Sequence, residues 1–366
     1  MKEKIFASIL IGALVISAFS GCGNSAQEST EALAPSMDIT AGTGTNEAEE
    51  TARTEEDAGA KAEEEAAAKA AEEEAARQEE ANTYYETGRA YLYGLDGKEF
   101  NLEAAYTNFE KALELEKAEA NLYLGMLYDY WYSYPELDYE KAKNYYEAVS
   151  DDPYAQLALG LLYYYGDGVD EDTEKAQELY DTVIAEGYVE GYLGYGDIAE
   201  NNEEYDAAFE FYNKVLEGNE QVYVASAMCY IGSMYFYGRI EQNYTKAFEW
   251  YQKAADLENI SAMYYVGYMY ENELGIEQDY SKAMDWYKKT ADLGDADAMN
   301  QIGYMYFNGL GVEQDYPKAM EWFEKAADLG HSNAMHNIGY MYENGLGVEQ
   351  DSNKAQEWYD KAAAAE

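Results

Sequence analysis

The sequence predicts an all-α protein whose main part is an α-solenoid of about eight helix-turn-helix repeats. A tryptophan recurs at intervals of 36 residues, at Trp250, Trp286, Trp322 and Trp358. A glycine recurs in apolar segments such as IGYMY, at intervals of 34 to 38 residues, at Gly88, Gly125, Gly160, Gly194, Gly232, Gly267, Gly303 and Gly339. A fixed period of this size is typical of small units that stack because none can bury its apolar face alone.

Each repeat reads as two helices. In the repeat at 294–330, apolar residues three and four apart mark one face of a first helix. The segment NGLG at 308–311 ends this helix, because its glycines take backbone angles that other residues avoid. Asp315 is a good N-cap for the second helix, in which we expect Trp322 and Phe323 to be buried. An alanine four residues before the aromatic recurs in every second helix, at Ala105, Ala142, Ala176, Ala208, Ala247, Ala283, Ala319 and Ala355.

The repeat pattern AxAxxxxG…Y…GxGVxxDxxKAxxWYxKAAxxG resembles the Sel1-like repeat, a relative of the tetratricopeptide repeat, over residues 83–366. The resemblance implies a right-handed α-solenoid that acts as an adaptor or scaffold between proteins, and it implies no enzymatic activity. Some members of the family carry a pair of cysteines in each repeat. This chain has only two cysteines, so it departs from that disulfide-linked subclass.

Residues 1–21 are typical of a lipoprotein signal peptide. A short basic start precedes an apolar run, which is too short for a membrane span, and FSGC at 19–22 resembles a lipobox. The sequence therefore predicts that Cys22 is lipidated and anchors the protein to the membrane of a bacterial cell envelope. The alternative is a secretory peptide that is cleaved elsewhere and releases a soluble protein.

Two further segments precede the repeats. Residues 22–56 are rich in small and polar side chains, and we expect a disordered linker there. Residues 57–82 are expected to form a charged helical stalk that holds the solenoid, residues 83–366, away from the membrane. Charges of alternating sign stand four residues apart along one face of this stalk, at Asp57, Lys61, Glu65, Lys69, Glu73 and Arg77.

Composition excludes several classes of function. The formal net charge of −49 repels phosphate backbones and therefore excludes nucleic-acid binding. We expect no metal, cofactor or catalytic group. Cys229 is expected to be a half-buried thiol, His331 and His336 have the wrong spacing to share a metal, and the acidic segment 167–172 lacks the ligand pattern of a calcium loop.

The chain has 41 tyrosines, more than the core positions need. A stripe of residues three before, and one or four after, the repeat glycine is expected on the concave side of the solenoid, where rigid aromatic rings suit a binding surface. It contains Tyr85, Tyr164, Tyr264, Tyr268, Tyr304, Phe307, His336 and Tyr340. The alternative is that many of these rings pack in seams between helices.

The interpretation that follows is a monomeric scaffold that is anchored to a membrane and lies outside the cytoplasm. It binds a protein or peptide partner of basic character on an acidic, tyrosine-rich concave face. Binding of cell-wall polysaccharide by the same aromatic rings is the alternative. An envelope hydrolase is a remote third candidate, for which the sequence offers no catalytic residues.

Overall fold

The computed structural model describes residues 47–95, 97–98, 100–129 and 135–365. The predicted signal peptide, Cys22 and the predicted linker as far as residue 46 lie outside them. The described residues form sixteen α-helices and no strand, which confirms the all-α prediction. The helices are α1 (Glu47–Tyr93), α2 (Leu102–Glu114), α3 (Ala120–Tyr128), α4 (Tyr139–Glu147), α5 (Pro153–Tyr165), α6 (Thr173–Ala185), α7 (Gly191–Asn201), α8 (Tyr205–Val215), α9 (Gln221–Phe236), α10 (Tyr244–Asp256), α11 (Ile260–Asn272), α12 (Tyr280–Asp292), α13 (Ala296–Asn308), α14 (Tyr316–Asp328), α15 (Ser332–Asn344) and α16 (Ser352–Ala364).

The helices come in pairs, and we call the first helix of a pair the A helix and the second the B helix. Odd-numbered helices are A helices and even-numbered helices are B helices. The described chain divides into two compact units, residues 47–149 with α1 to α4 and residues 150–365 with α5 to α16. Within each unit every helix packs on the next helix along the chain, as an α-solenoid requires.

The glycine that recurs in the A helices lies against an aromatic ring of the B helix in the same pair. A Cβ atom added to Gly303 would stand 2.6 Å from Cδ1 of Phe323, and one added to Gly267 would stand 2.9 Å from Cε1 of Tyr287. Carbon atoms do not approach so closely in a well-packed interior, so a larger residue would push the two helices apart. The recurring glycine is therefore explained by close A–B packing.

In the fourth pair this glycine is Gly196, and the prediction of Gly194 was wrong. Gly196 faces the ring of Tyr212 on the B helix of its own pair, whereas Gly194 faces Tyr180 on the B helix of the preceding pair. With Gly196, the interval to the equivalent glycine on either side becomes 36 residues. The error arose because α7 carries a glycine at both places, and sequence alone does not show which ring each one meets.

Most B helices begin at an aspartate or asparagine whose side chain accepts a hydrogen bond from the backbone N–H three residues later. Asp315 accepts from the N–H of Lys318 at 3.1 Å, which confirms its predicted role as N-cap. Asn243 accepts from the N–H of Lys246 at the same distance. Helix α8 is different, because Glu204 at its start makes no such bond.

The recurring alanine of the B helices is buried in all eight pairs. Phe323 is buried as predicted, but Trp322 is only half-buried, so that part of the prediction was wrong. Its indole ring packs on the edge of the core around Ala283 and Tyr287, and the Lys325 ammonium lies 4.0 Å from the ring centroid. A tryptophan at this place covers the core from outside, with a lysine stacked on its solvent side.

Several B-helix tyrosines direct their hydroxyl groups towards the A helix of their own pair, and a hydroxyl that is buried there needs a hydrogen-bond partner. In four pairs the partner is a carboxylate at the end of the A helix, four residues after the recurring glycine. In the seventh pair the B-helix ring is Phe323, which has no hydroxyl, and the same A-helix place holds Phe307. The four bonds are Tyr146–Asp129 at 2.9 Å, Tyr212–Glu200 at 3.0 Å, Tyr287–Glu271 at 2.7 Å and Tyr359–Glu343 at 3.0 Å.

Helix α1 contains the segment for which the sequence predicts a stalk. It begins at Glu47, ten residues before the predicted start, and continues to Tyr93, so the stalk and the first A helix are one helix. Two steps of the predicted charge ladder are ion pairs, Lys61–Glu65 at 3.9 Å and Lys69–Glu73 at 3.5 Å. None of the described helices combines the length and the hydrophobicity that a transmembrane segment needs.

Candidate partner-binding face

The predicted binding stripe is most regular in α11, α13 and α15, and we call this part the A-helix face. It consists of the residues three before, one after and four after the recurring glycine of each helix. They are Tyr264, Tyr268 and Glu271, then Asn300, Tyr304 and Phe307, then His336, Tyr340 and Glu343. Tyr304 and Tyr340 are each 45% exposed and His336 is exposed, whereas Tyr264, Tyr268 and Phe307 are half-buried.

Aromatic rings of the A-helix face contact one another within and between helices. Tyr264 stacks on Tyr268 in α11 with a centroid distance of 6.5 Å. Phe307 of α13 meets Tyr340 of α15 edge to face at 6.1 Å. These contacts hold the rings in place, so a ligand would meet a surface that is already ordered.

The other two predicted site residues have different surroundings. Tyr85 belongs to the unit of residues 47–149, where it packs edge to face against Phe109 at 6.2 Å and Tyr123 at 5.6 Å. Tyr164, in α5, contacts the ring of Tyr165 at 4.9 Å. Burial raises the pKa of both Tyr85 and Tyr164 above the usual value. Packing between helices covers much of the Tyr85 ring, and Tyr164 is partly buried against the core of its unit.

A chain of polar side chains runs across the same three A helices. The Glu271 carboxylate, which accepts the hydrogen bond of Tyr287, lies 3.4 Å from the amide nitrogen of Gln301. Gln301 lies 3.4 Å from Asn300, and the Asn337 amide donates to Asn300 Oδ1 at 3.0 Å. Side chains of successive A helices therefore reach each other directly and link three repeats.

Positive charge is absent from these helices. None of the six A helices of residues 150–365, α5 to α15, contains a lysine or an arginine. The lysines of this unit all lie on B helices. On the A-helix face the charged residues are Glu271, which is buried, and Glu343, which is exposed. The face is therefore neutral to acidic, and it would attract cationic groups.

Eight lysines of the B helices α10 to α16 lie over aromatic rings, at nitrogen-to-centroid distances between 4.0 and 5.4 Å. One kind of pair joins a lysine to a tyrosine of the A helix in the same pair, and the other joins a lysine to the recurring tryptophan of its own helix. Such cation–π contacts keep the ammonium groups on the B side. The pairs are Lys246–Tyr235, Lys253–Trp250, Lys282–Tyr270, Lys289–Trp286, Lys318–Tyr306, Lys325–Trp322, Lys354–Tyr342 and Lys361–Trp358.

The remaining candidates for chemistry have structural roles. Cys229 is fully buried, not half-buried as predicted, and burial raises the pKa of its thiol. His331 caps α15 by accepting from the N–H of Ala334 at 3.0 Å, and its other ring nitrogen lies 2.9 Å from Asp297. Across the described ranges, no three histidine, cysteine or acidic side chains converge as metal ligands would.

Two features of the A-helix face and its surroundings were not predicted from the sequence. The segregation of lysines to B helices can be recognised once helix boundaries are assigned, because each lysine of α10 to α16 follows the N-cap or the tryptophan of a B helix. The amide chain through Asn300 and Asn337 has no comparable signal, because it depends on side-chain contacts between residues 37 positions apart.

Comparison with known proteins agrees with the repeat geometry. Seven segments match the Sel1 repeat, and together they cover more than half of the chain. The fourth pair, α7 and α8, falls in the unmatched interval, although it folds as a helix pair like the others. A comparison with curated proteins gives no match. The matched segments are 81–116, 118–148, 153–182, 225–259, 260–295, 296–331 and 332–366.

Two solved structures illustrate the likeness. A Sel1 repeat protein from Oxalobacter formigenes is 25% identical over 66% of this chain and 96% of that chain, with a TM-score of 0.51. The protein c5321, a protective antigen present in uropathogenic Escherichia coli strains and displaying an SLR fold, is 27% identical over 78% of this chain, with a TM-score of 0.47. This chain spans only 62% of the length of c5321. The chain belongs to the Sel1 repeat family, whose members generally mediate protein–protein interactions and are typically non-enzymatic scaffolds.

Proposed function

We propose that this protein is a monomeric scaffold, anchored by a lipid on Cys22 to a bacterial membrane and exposed outside the cytoplasm, that binds a basic protein partner on its A-helix face. The family supports a role in protein–protein interaction. The anchor and the location rest on the signal peptide and lipobox of the sequence. The choice of face rests on the distribution of charge and aromatic rings.

The observation that carries the proposal is the absence of cations from A helices that also expose tyrosines. Lysines are frequent on α10 to α16, yet all of them lie on B helices. Tyr304 and Tyr340 leave nearly half of their surface open beside this cation-free region. Tyrosine combines a large apolar ring with a polar tip, and an uncompensated acidic field favours a basic ligand.

The proposal is tested by replacing two tyrosines of the A-helix face. Tyr268→Ala with Tyr304→Ala should weaken capture of the partner from an envelope extract about tenfold or more, because buried interface tyrosines are frequent binding hot spots. Capture should also weaken with added salt. Helicity and melting temperature should stay close to those of the wild type, since neither ring is in the fully buried core.

The matched control is Leu293→Ala with Leu329→Ala. These leucines are 53% and 56% exposed, but they lie at turns between B and A helices. Partner capture that survives the tyrosine changes and is lost in the leucine variant would place binding elsewhere. Retention on purified cell-wall glycan that resists salt would favour the polysaccharide alternative, and loss of helicity in the tyrosine variant would show that these rings are structural.

A further inference from the structure

Tyr268, Tyr304 and Tyr340 occupy the same place in three successive A helices, one residue after the recurring glycine. Side-chain hydrogen bonds join α11 to α13 and α13 to α15, so these helices are neighbours on this side of the unit. The three tyrosines therefore form a row that crosses the helices, with one ring in each repeat.

The spacing of such a row matches an extended chain. Helices whose side chains touch have axes about 10 Å apart. Three residues of a polyproline II segment complete one turn and advance about 9 Å, so every third side chain lies on the same face. A segment laid across α11, α13 and α15 would therefore present an equivalent side chain to each tyrosine at every third residue.

The chemistry of the row indicates which side chain fits. The three A helices contain no lysine or arginine that could already occupy the rings. Exposed carboxylates flank the row at Asp297 and Glu343. Lysine and arginine bind aromatic faces through cation–π contacts and are favoured by nearby negative charge. The amides of Asn300 and Asn337 offer hydrogen bonds to the backbone of the bound segment.

We propose that the A-helix face binds a polyproline II segment of its partner that carries lysine or arginine at every third residue, with one cation over each of Tyr268, Tyr304 and Tyr340. This inference rests on the proposed function and specifies the recognised element of the partner. Recognition comes from the match between repeat spacing and peptide spacing, in addition to net charge.

The test uses the full chain, purified in mild detergent, and two synthetic peptides of identical composition. One peptide consists of four Lys-Pro-Ala triplets, and its isomer carries the four lysines in one block. We expect the triplet peptide to bind about tenfold more tightly than the isomer in calorimetry at moderate salt. Equal binding of both peptides, or no binding of either, would overturn the inference.

Variants of Tyr304 and Tyr340 test whether these rings bind the triplet peptide. Tyr304→Ala with Tyr340→Ala should lower the affinity for the triplet peptide about tenfold and abolish the preference over the isomer. Tyr304→Phe with Tyr340→Phe should keep both, because the ring binds the cation, and the Leu293→Ala, Leu329→Ala variant should also keep both. An unchanged preference in the alanine variant would contradict the inference. Capture of the natural partner could depend on the tyrosines while the triplet peptide binds no better than its isomer. That result would contradict this inference but not the proposed function.

Discussion

Glu273 is one of four non-glycine residues in the described ranges whose backbone φ is positive. It ends α11 in the left-handed region with φ 57°, and the helix ends of α5, α13 and α15 have glycine at the equivalent place. A left-handed conformation costs a residue with a Cβ atom roughly 1–2 kcal/mol. We therefore expect Glu273→Gly to stabilise the protein by about 1 kcal/mol, measured by chemical denaturation.

The reverse change at an equivalent helix end is the control. Gly309 has φ 70°, and a Cβ atom there would stand 3.3 Å from Gln314. Gly309→Ala should destabilise the protein by about 1 kcal/mol. A Glu273→Gly variant that is no more stable than the wild type would show that the glutamate side chain makes a compensating contact.

Protonation of Asp197 makes the free energy of unfolding depend on pH. This residue is buried in α7, where loss of hydration raises the pKa of its carboxyl from 3.8 to about 7, and the nearby Tyr212 hydroxyl offsets this only in part. The folded protein therefore binds a proton more readily than the unfolded chain between about pH 4 and 7. The stability that this group contributes is greatest below pH 4 and is lost as pH rises to 7.

We expect Asp197→Asn to remove this dependence. Between pH 8 and pH 5 the wild type should gain about 1–4 kcal/mol more in free energy of unfolding than the variant. Burial raises the pKa of Asp295 to about 6 and also raises the pKa of Glu190 and of Glu271, but these groups are common to both proteins. Parallel pH profiles for the two proteins would contradict this explanation.

In four of the helix pairs a carboxylate four residues after the recurring glycine accepts a hydrogen bond from a B-helix tyrosine. Glu271 accepts from Tyr287, whereas the next pair has Phe307 and Phe323 at the same places. A phenol placed in the interior without an acceptor costs about 1–3 kcal/mol. We therefore expect Phe323→Tyr alone to destabilise the protein by that amount.

The double variant Phe307→Glu, Phe323→Tyr should recover part of this loss, because it recreates the pair of α11 and α12. Phe307→Glu alone should also destabilise, since it leaves a carboxylate next to an apolar ring. A double-mutant cycle should give a favourable coupling of about 1 kcal/mol or more. Additive effects would show that the hydroxyl and the carboxylate do not act as a pair.

The repeat period predicts the helix pairs, most N-caps and the buried alanines from sequence, because each depends on residues close together in the chain. The position of Gly196 and the half-buried state of Trp322 could not be predicted in this way. Both depend on which ring of a neighbouring helix fills the adjacent space. The residues of the candidate stripe could be chosen from the sequence. The amide chain beside the stripe could not, because it depends on contacts between side chains of different repeats.

At the scale of the whole molecule, a predicted linker and stalk lie between the predicted membrane anchor and the repeats. If Cys22 carries the lipid, Cys22→Ser should release the protein from the membrane fraction and leave the signal peptide uncut by the lipoprotein peptidase. Fractionation and mass spectrometry of the mature N-terminus measure both effects. A wild-type N-terminus at a residue other than Cys22 would contradict the anchor.

The central claim is that the partner lies on the A-helix face, and site-specific photo-crosslinking in the cell tests it most directly. A photoreactive benzoylphenylalanine would replace Tyr304 in one variant and Leu329 in another, two side chains that are 45% and 56% exposed. We expect position 304 to cross-link to a basic protein and position 329 to give no comparable product. Cross-linking from 329 alone, or equally from both positions, would contradict the claim.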